Sequence, residues 1–154
     1  MAFIGEIERK SPVAHVLLVY AHEQVQIIKE QAPQIRRGTL DSVHLMRIAV
    51  RRLRSVLATY RTLLDAEFVI HLREELKWLG LILGSQRDAE VMGQRIKELI
   101  ATEPFELTMA PISRWIDEHL ESDFHIARLA VLKTLDDKRY LQLLKDLDAL
   151  LAAP

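Results

Sequence analysis

One segment of the chain concentrates cationic side chains that could bind an anion. The sequence SVHLMRIAVRRLRSVLATYRTLL, from Ser42 to Leu64, contains one histidine and five arginines. At about 100° per residue, five of these side chains form one helical stripe, the cationic stripe: His44, Arg47, Arg51, Arg54 and Arg61. Only Arg52 projects well away from it. Because a guanidinium fork matches the oxygen pairs of a phosphate and keeps its charge, the stripe could bind a phosphate-rich anion.

The cationic stripe borders a predicted core. The apolar seam beside it consists of Val43, Met46, Val50, Leu53, Leu57, Tyr60 and Leu64. Like charges three or four residues apart repel by a few tenths of a kcal/mol, roughly, and no acid is interleaved to offset them. Two interpretations therefore remain open. Acidic residues of other helices pair with the arginines, as on an ordinary helix surface, or the stripe binds an external anion.

A second cationic row follows later in the chain. Its members are spaced by four, three, four and three residues and share a helical face: Arg73, Lys77, Gly80, Gly84 and Arg87. A glycine inside a helix lowers helix stability by about 1 kcal/mol relative to alanine, and close packing of another group against the glycine can offset this loss. That group could be another helix or a ligand. Arg87 and Asp88 could form a salt bridge or a ligand contact oriented by the carboxylate.

Helical periodicity dominates the elements that must position these side chains. We expect Pro33 to end or kink the first helix, Gly84 and Ser85 to interrupt the third, and Pro104 to break the chain. The predicted helices run from about Ser11 to Pro33, Asp41 to Leu64, Glu67 to Leu83, Arg87 to Ala101, Pro111 to Leu135, and Arg139 to the C-terminus. The predicted fold is an all-α helical bundle of about five to seven helices, in a single domain over residues 1–154.

Composition excludes several functional classes. The chain has no cysteine, which removes thiolate metal sites and cysteine nucleophiles. Asp41 and His44 give a single Asp-x-x-His spacing, short of the repeated pairs of a di-iron bundle, and there is no Walker-type glycine motif. We therefore expect no metal, no cofactor and no enzymatic activity. No apolar run approaches the ~18 residues of a membrane span, so a soluble, cytoplasmic protein is predicted.

The charge distribution favours a local anionic ligand. Residues 36–61 hold seven arginines and one acid, Asp41, so this window carries +6 while the chain as a whole carries −1. The remainder is therefore acidic, at −7. Nucleic-acid binding is disfavoured, because the overall charge is not basic and the cationic stripe lacks interleaved exposed aromatic residues.

Three segments resemble, in order and spacing, the CHAD family, the conserved histidine α-helical domain. They are VHLMRIAVRRLRSVLATYRTLL, LREELKWLGLILGSQRDAEVM and LDDKRYLQLL, and the similarity covers roughly Val13 to Pro154. The His-x-x-Arg-x-x-x-Arg-Arg-x-Arg element followed by Leu-Gly-x-x-Arg-Asp is the most specific part. The resemblance implies binding of inorganic polyphosphate and an association with polyphosphate granules.

The resemblance also assigns residues to the binding surface. It implies a first group of His44, Arg47, Arg51, Arg52 and Arg54, and a second group of Lys77 and Arg87, to which the helical row adds Arg73. Arg139 lies in a matching motif, where starting the last helix is an equal alternative. His125 and Arg128 repeat the His-x-x-Arg spacing, but Leu132 replaces the next arginine.

The family's full domain consists of two related bundles with a basic channel between them, and this chain resembles only the first. A homodimer could restore the second half, or the chain could be a fragment of a longer protein. The predicted function is binding of polyphosphate or a similar polyanion. The alternatives are a structural or protein-interaction bundle, or a component of an enzyme that processes phosphate esters or polyphosphate.

Overall fold

The chain folds into α-helices joined by short turns in a computed structural model that describes residues 12–59, 61–102 and 110–152. Five α-helices and one short 3₁₀ turn, Arg61–Leu63, occupy these ranges. The α-helices are α1 (Pro12–Arg37), α2 (Ser42–Thr59), α3 (Ala66–Thr102), α4 (Ala110–Leu135) and α5 (Lys138–Ala152). The predicted all-α helical bundle is confirmed. The predicted helix start at Ser11 and the break at Pro104 lie outside the described residues.

The apolar seam of α2 lies at the centre of the core. Its members from Val43 to Leu57, together with Leu64, are buried, while Tyr60 lies outside the described residues. They pack with buried leucines of α3, namely Leu72, Leu76, Leu79 and Leu83. Helices α1, α4 and α5 add further side chains to the same cluster. Each fully buried leucine stabilises the fold by about 1.5–3 kcal/mol relative to an exposed one. Burial of the seam therefore determines the orientation of α2 and leaves the cationic stripe at the edge of the core.

Helix α3 is continuous over 37 residues, and the predicted interruption at Gly84 and Ser85 is wrong. Gly84 is buried against α2, whereas a helix-ending glycine would adopt a positive φ. Because glycine has no side chain, α2 and α3 can pack closely at this position. The helix that begins at Arg87 in the prediction is the second half of α3.

The sequence predicts a helix end or a kink at Pro33, and helix α1 does not end there but runs on to Arg37. It stops at Gly38, whose φ is 74°. The Gly38 N–H donates to the Ile35 carbonyl at 3.0 Å, and the Thr39 N–H donates to the Gln34 carbonyl at 3.0 Å. These paired bonds satisfy carbonyls at the helix end. They require a left-handed backbone conformation at residue 38, which glycine adopts without strain.

A matched pair of leucines in α3 tests this assignment of the core. Leu79 has no exposed surface, whereas Leu81, two residues later, is 68% exposed. We expect Leu79→Ala to lower the free energy of unfolding by about 2–5 kcal/mol, because it leaves a cavity. Leu81→Ala should change it by less than about 0.5 kcal/mol. Urea denaturation of the three proteins measures both effects, and similar losses would contradict the assignment.

Candidate anion-binding groove

The two predicted cationic rows lie side by side because α2 packs antiparallel to α3. A Cβ atom placed on Gly84 would lie 3.5 Å from Nε of Arg47. One placed on Gly80 would lie 3.6 Å from a Val50 methyl carbon. The group that approaches both glycines is therefore α2 itself, and at Gly84 it is an arginine of the cationic stripe.

A groove of about 330 Å³ lies between the two helices where these rows meet. Four residues of the cationic stripe line it from α2, and Lys77 lines it from α3. Its described lining is His44, Arg47, Ile48, Val50, Arg51, Arg54, Leu76, Lys77, Gly80 and Leu81. This set contains four permanent cations and no carboxylate. The sequence spacing of three, four and three residues from His44 to Arg54 therefore places four of the five stripe members in one groove.

The groove cations have no acidic partners within the described part of the chain. Ion pairs form elsewhere, but none involves Arg47, Arg51, Arg54 or Lys77. Of the two interpretations left open by the sequence, pairing with acids of other helices is thus not found for these four side chains. Clustered like charges without counter-charges repel one another, so an anion in the groove would relieve that repulsion.

Two polar atoms at the groove are enclosed without a hydrogen-bond partner in the described structure, Nδ1 of His44 and Nε of Arg54. Burying an unpaired polar group costs about 1–3 kcal/mol. Since Nδ1 of His44 is enclosed, Nε2 is the ring nitrogen left to contact a ligand. The terminal guanidinium nitrogens of Arg54 are likewise the part that an anion can reach.

Three of the eight predicted binding residues lie outside the described lining of the groove, and so does Arg61 of the cationic stripe. Arg52 and Arg61 are exposed, on α2 and in the 3₁₀ turn. Arg73 is half-buried, and its Nε is enclosed without a partner in the described structure. Arg87 is held by carboxylates, at 3.2 Å from Glu90 and 3.9 Å from Asp41. The structure therefore brings together five of the eight predicted binding residues: His44, Arg47, Arg51, Arg54 and Lys77.

Arg139 has a structural environment. Its guanidinium donates two hydrogen bonds to the Glu75 carboxylate, at 2.8 and 2.9 Å. The same group lies 4.2 Å from the centre of the Trp78 ring, so it ties α5 to α3. The hydrogen bonds to Arg139 lower the pKa of Glu75 below its usual value, and they raise the pKa of Arg139.

Arg128 also has a structural environment. Its guanidinium lies 3.6 Å from the position of a Cβ on Gly38, and it donates to the Arg36 carbonyl at 3.5 Å. A cation at this place interacts favourably with the carbonyls that end α1. His125 is exposed on the same helix. The second His-x-x-Arg spacing therefore contributes a cap for α1 instead of a second row of groove residues.

Besides the buried core residues Val50 and Leu76, the lining contains two apolar residues that were not predicted as part of the site. Ile48 lies four residues after His44, and Leu81 lies four residues after Lys77, so each shares a helical face with a predicted binding residue. That spacing is the signal that could have identified them. Apolar groups beside the cations reduce local solvation, which strengthens charge-assisted hydrogen bonds.

The described residues contain no cluster of three or more histidine, aspartate or glutamate side chains that could hold a metal ion. Of the described helices, none is long and apolar enough to cross a membrane.

Comparison with known proteins agrees with this fold. The profile of the CHAD domain matches residues 19–154. The chain is thus an all-α protein with a cationic groove between two packed helices, and it belongs to the CHAD family.

Individual relatives are longer than this chain. Two uncharacterized proteins of Mycobacterium tuberculosis, MT2285 of strain CDC 1551 and Rv2226 of strain H37Rv, are 31% identical to it over 131 residues. The match covers 84% of this chain and 25% of each relative. The solved structure of PptA from Streptomyces chartreusis has a similar fold, with a TM-score of 0.74 at 20% identity, over 88% of this chain and 48% of PptA. The chain therefore spans about a quarter of these relatives and about half of PptA.

The environment of Arg139 predicts a pH-dependent contribution to stability. Arg139→Ala removes the ion pair with Glu75 and the contact with Trp78, and we expect it to lower the free energy of unfolding by about 1 kcal/mol at neutral pH. Because the folded-state pKa of Glu75 is lowered, the ion-pair part is complete above the unfolded value of about 4.3 and is lost as pH falls through the folded value.

Urea denaturation of the parent and Arg139→Ala proteins at neutral and acidic pH measures this contribution. The difference between them should shrink on acidification below about pH 4. Lys138→Ala, which removes an exposed neighbouring cation, is the matched control. A difference that stays constant with pH would contradict the role of the Glu75 ion pair.

Proposed function

We propose that the groove between α2 and α3 binds inorganic polyphosphate or a similar linear polyanion. One observation carries the proposal: four permanent cations and a histidine line a single groove whose described lining contains no carboxylate. Arginine predominates, and its fork binds two phosphate oxygens at once. Membership of the CHAD family supports polyphosphate as the anion.

The arrangement along α2 favours a chain over a single phosphate. Ten residues separate His44 from Arg54, which corresponds to about 15 Å along a helix. Orthophosphate is too small to contact both ends of this row, whereas an extended polyphosphate can contact His44, Arg47, Arg51 and Arg54 together. Displaced counterions add to the affinity, by analogy with nucleic-acid backbones. Affinity should therefore increase with the number of phosphates until the row is filled, and it should fall steeply as salt is added.

We infer that the groove binds the anion without cleaving it. Hydrolysis or transfer of a phosphoryl group requires a positioned nucleophile and usually metal ions held by carboxylates. The side chains described at the groove are cationic or apolar, a set suited to holding an anion. Release of orthophosphate from polyphosphate by the purified chain, abolished by a chelator, would instead support an enzyme.

The wider role belongs to the same proposal. A protein that holds polyphosphate reversibly could reside in the cytoplasm and associate with polyphosphate granules. Because the chain spans about half of PptA, a second helical bundle could cover the groove, supplied by a homodimer or by the rest of a longer protein. The single-domain organisation of residues 1–154 remains a prediction.

Removal of single groove arginines tests the proposed site. Arg47→Ala and Arg51→Ala should each weaken binding of medium-chain polyphosphate by about 1.5–3 kcal/mol, roughly 10- to 150-fold, because each loses charge-assisted hydrogen bonds. Arg37→Ala is the matched control, since Arg37 is an exposed arginine outside the groove lining. Isothermal titration calorimetry at fixed ionic strength measures all four proteins.

Parent affinity in both groove variants would contradict the proposed site. Equal losses in the Arg37→Ala protein would indicate attraction by overall charge. Competition between polyphosphate and DNA at several salt concentrations separates the proposed ligand from nucleic acid. A lack of binding to every polyanion would favour a structural or protein-interaction bundle.

His44 offers the proposed ligand a hydrogen bond beside the arginines. Its ring Nε2 can donate to a phosphate oxygen, a net contribution of about 0.5–1.5 kcal/mol. His44→Ala should therefore weaken polyphosphate binding by roughly 2- to 13-fold, less than removal of a groove arginine. Fluorescence-detected titrations at fixed ionic strength measure the two proteins, and parent affinity in the variant would rule out a contact with His44.

A further inference from the structure

Helix α4 carries a second apolar stripe on the face turned away from the core. Its core face ends in Val131 and Leu135, which are buried. The opposite face repeats every three and four residues: Ile112, Trp115, His119, Ser122, Ile126 and Leu129, the outer α4 stripe. Its four large apolar members, Ile112, Trp115, Ile126 and Leu129, are 49%, 58%, 63% and 51% exposed. The spacing is that of the a and d positions of a heptad repeat.

A helix with apolar residues on two faces normally packs between two partners. In the described structure α4 packs chiefly against α3, and this packing covers one of its two apolar faces. The outer α4 stripe has the heptad spacing that is typical of helices whose side chains interdigitate with those of a second helix. The outer α4 stripe therefore fits a helical partner better than a small ligand.

We propose that the outer α4 stripe binds the same stripe of a second copy of this chain, with the two α4 helices antiparallel. The order of residues in the stripe is self-complementary about its centre. In the antiparallel register Ile112 faces Leu129 of the second copy, and Trp115 faces Ile126 of the second copy. The two polar residues, His119 and Ser122, then face each other at the centre. A two-fold axis repeats each pair, as an isologous interface requires.

Flanking charges favour the antiparallel over the parallel arrangement. In the antiparallel pair Glu118 lies beside His125 of the second copy on one side of the stripe, and these two side chains are not like-charged. In a parallel pair Glu118 would face Asp123 of the second copy, and like charges across a helix pair are unfavourable. In the parallel arrangement Trp115 would also face Trp115 of the second copy, and His119 would face His119 of the second copy.

The size of the stripe indicates a reversible dimer. Seventeen residues separate Ile112 from Leu129, or about 26 Å of helix. One helix pair of this length buries less than the ~800 Å² per partner of a standard stable interface. The proposal is independent of polyphosphate binding, because no residue of the outer α4 stripe lines the groove.

Sedimentation velocity of the chain from about 1 to about 200 µM tests the dimer. We expect a concentration-dependent shift from monomer to dimer in the parent protein. Trp115→Glu and Ile126→Glu should each raise the dissociation constant at least about tenfold, since each buries a charge against an apolar side chain. Ile70→Glu, at a residue of α3 that is 62% exposed, is the matched control and should leave the constant unchanged.

Cysteine cross-linking tests the register, because the chain has no cysteine of its own. A mixture of His119→Cys and Ser122→Cys proteins should form a mixed disulfide faster than either protein forms a disulfide with itself. A monomer at all concentrations, or an equal loss of association in the Ile70→Glu protein, would overturn the proposed interface. Preferred self-linking of either cysteine variant would overturn its antiparallel register.

Discussion

The close packing of α2 against α3 at Gly80 and Gly84 is the constraint on which the site depends. Without side chains at these two positions, Val50 and the guanidinium of Arg47 can lie directly against α3. This contact places the groove arginines beside Lys77. The cost of two glycines within a helix, about 1 kcal/mol each relative to alanine, is offset by packing of the buried seam beneath them.

The surroundings of each cation separate structural from binding roles. Arg139 and Arg87 lie against carboxylates, and Arg128 lies against the carbonyl end of α1, so their charges already have partners. The groove cations lack such partners in the described part of the chain, although they have the same chemistry. A guanidinium that stabilises the fold thus differs from one available to a ligand by its neighbours, most of which lie in segments distant in sequence.

This dependence on neighbours explains what the sequence could predict. Local periodicity correctly identified the buried seam of α2 and the face shared by His44, Arg47, Arg51 and Arg54, because a single helix sets both. It failed at Gly84, where a glycine that could end a helix instead packs against α2. At Pro33 the sequence predicts a helix end or a kink, and α1 does not end there. Local periodicity also could not tell that Arg87 meets Asp41, since that depends on how α2 packs on α3, whereas the Glu90 partner lies three residues from Arg87 on the same helix.

We propose that an extended polyanion occupies the groove and contacts its arginines directly. Nuclear magnetic resonance of the arginine Nε–H groups during a titration with medium-chain polyphosphate tests it most directly. We expect saturable shifts for Arg47, Arg51 and Arg54, with Arg139 unchanged because Glu75 already holds it. Shifts spread evenly over all arginines, or confined to residues outside the groove, would contradict the account.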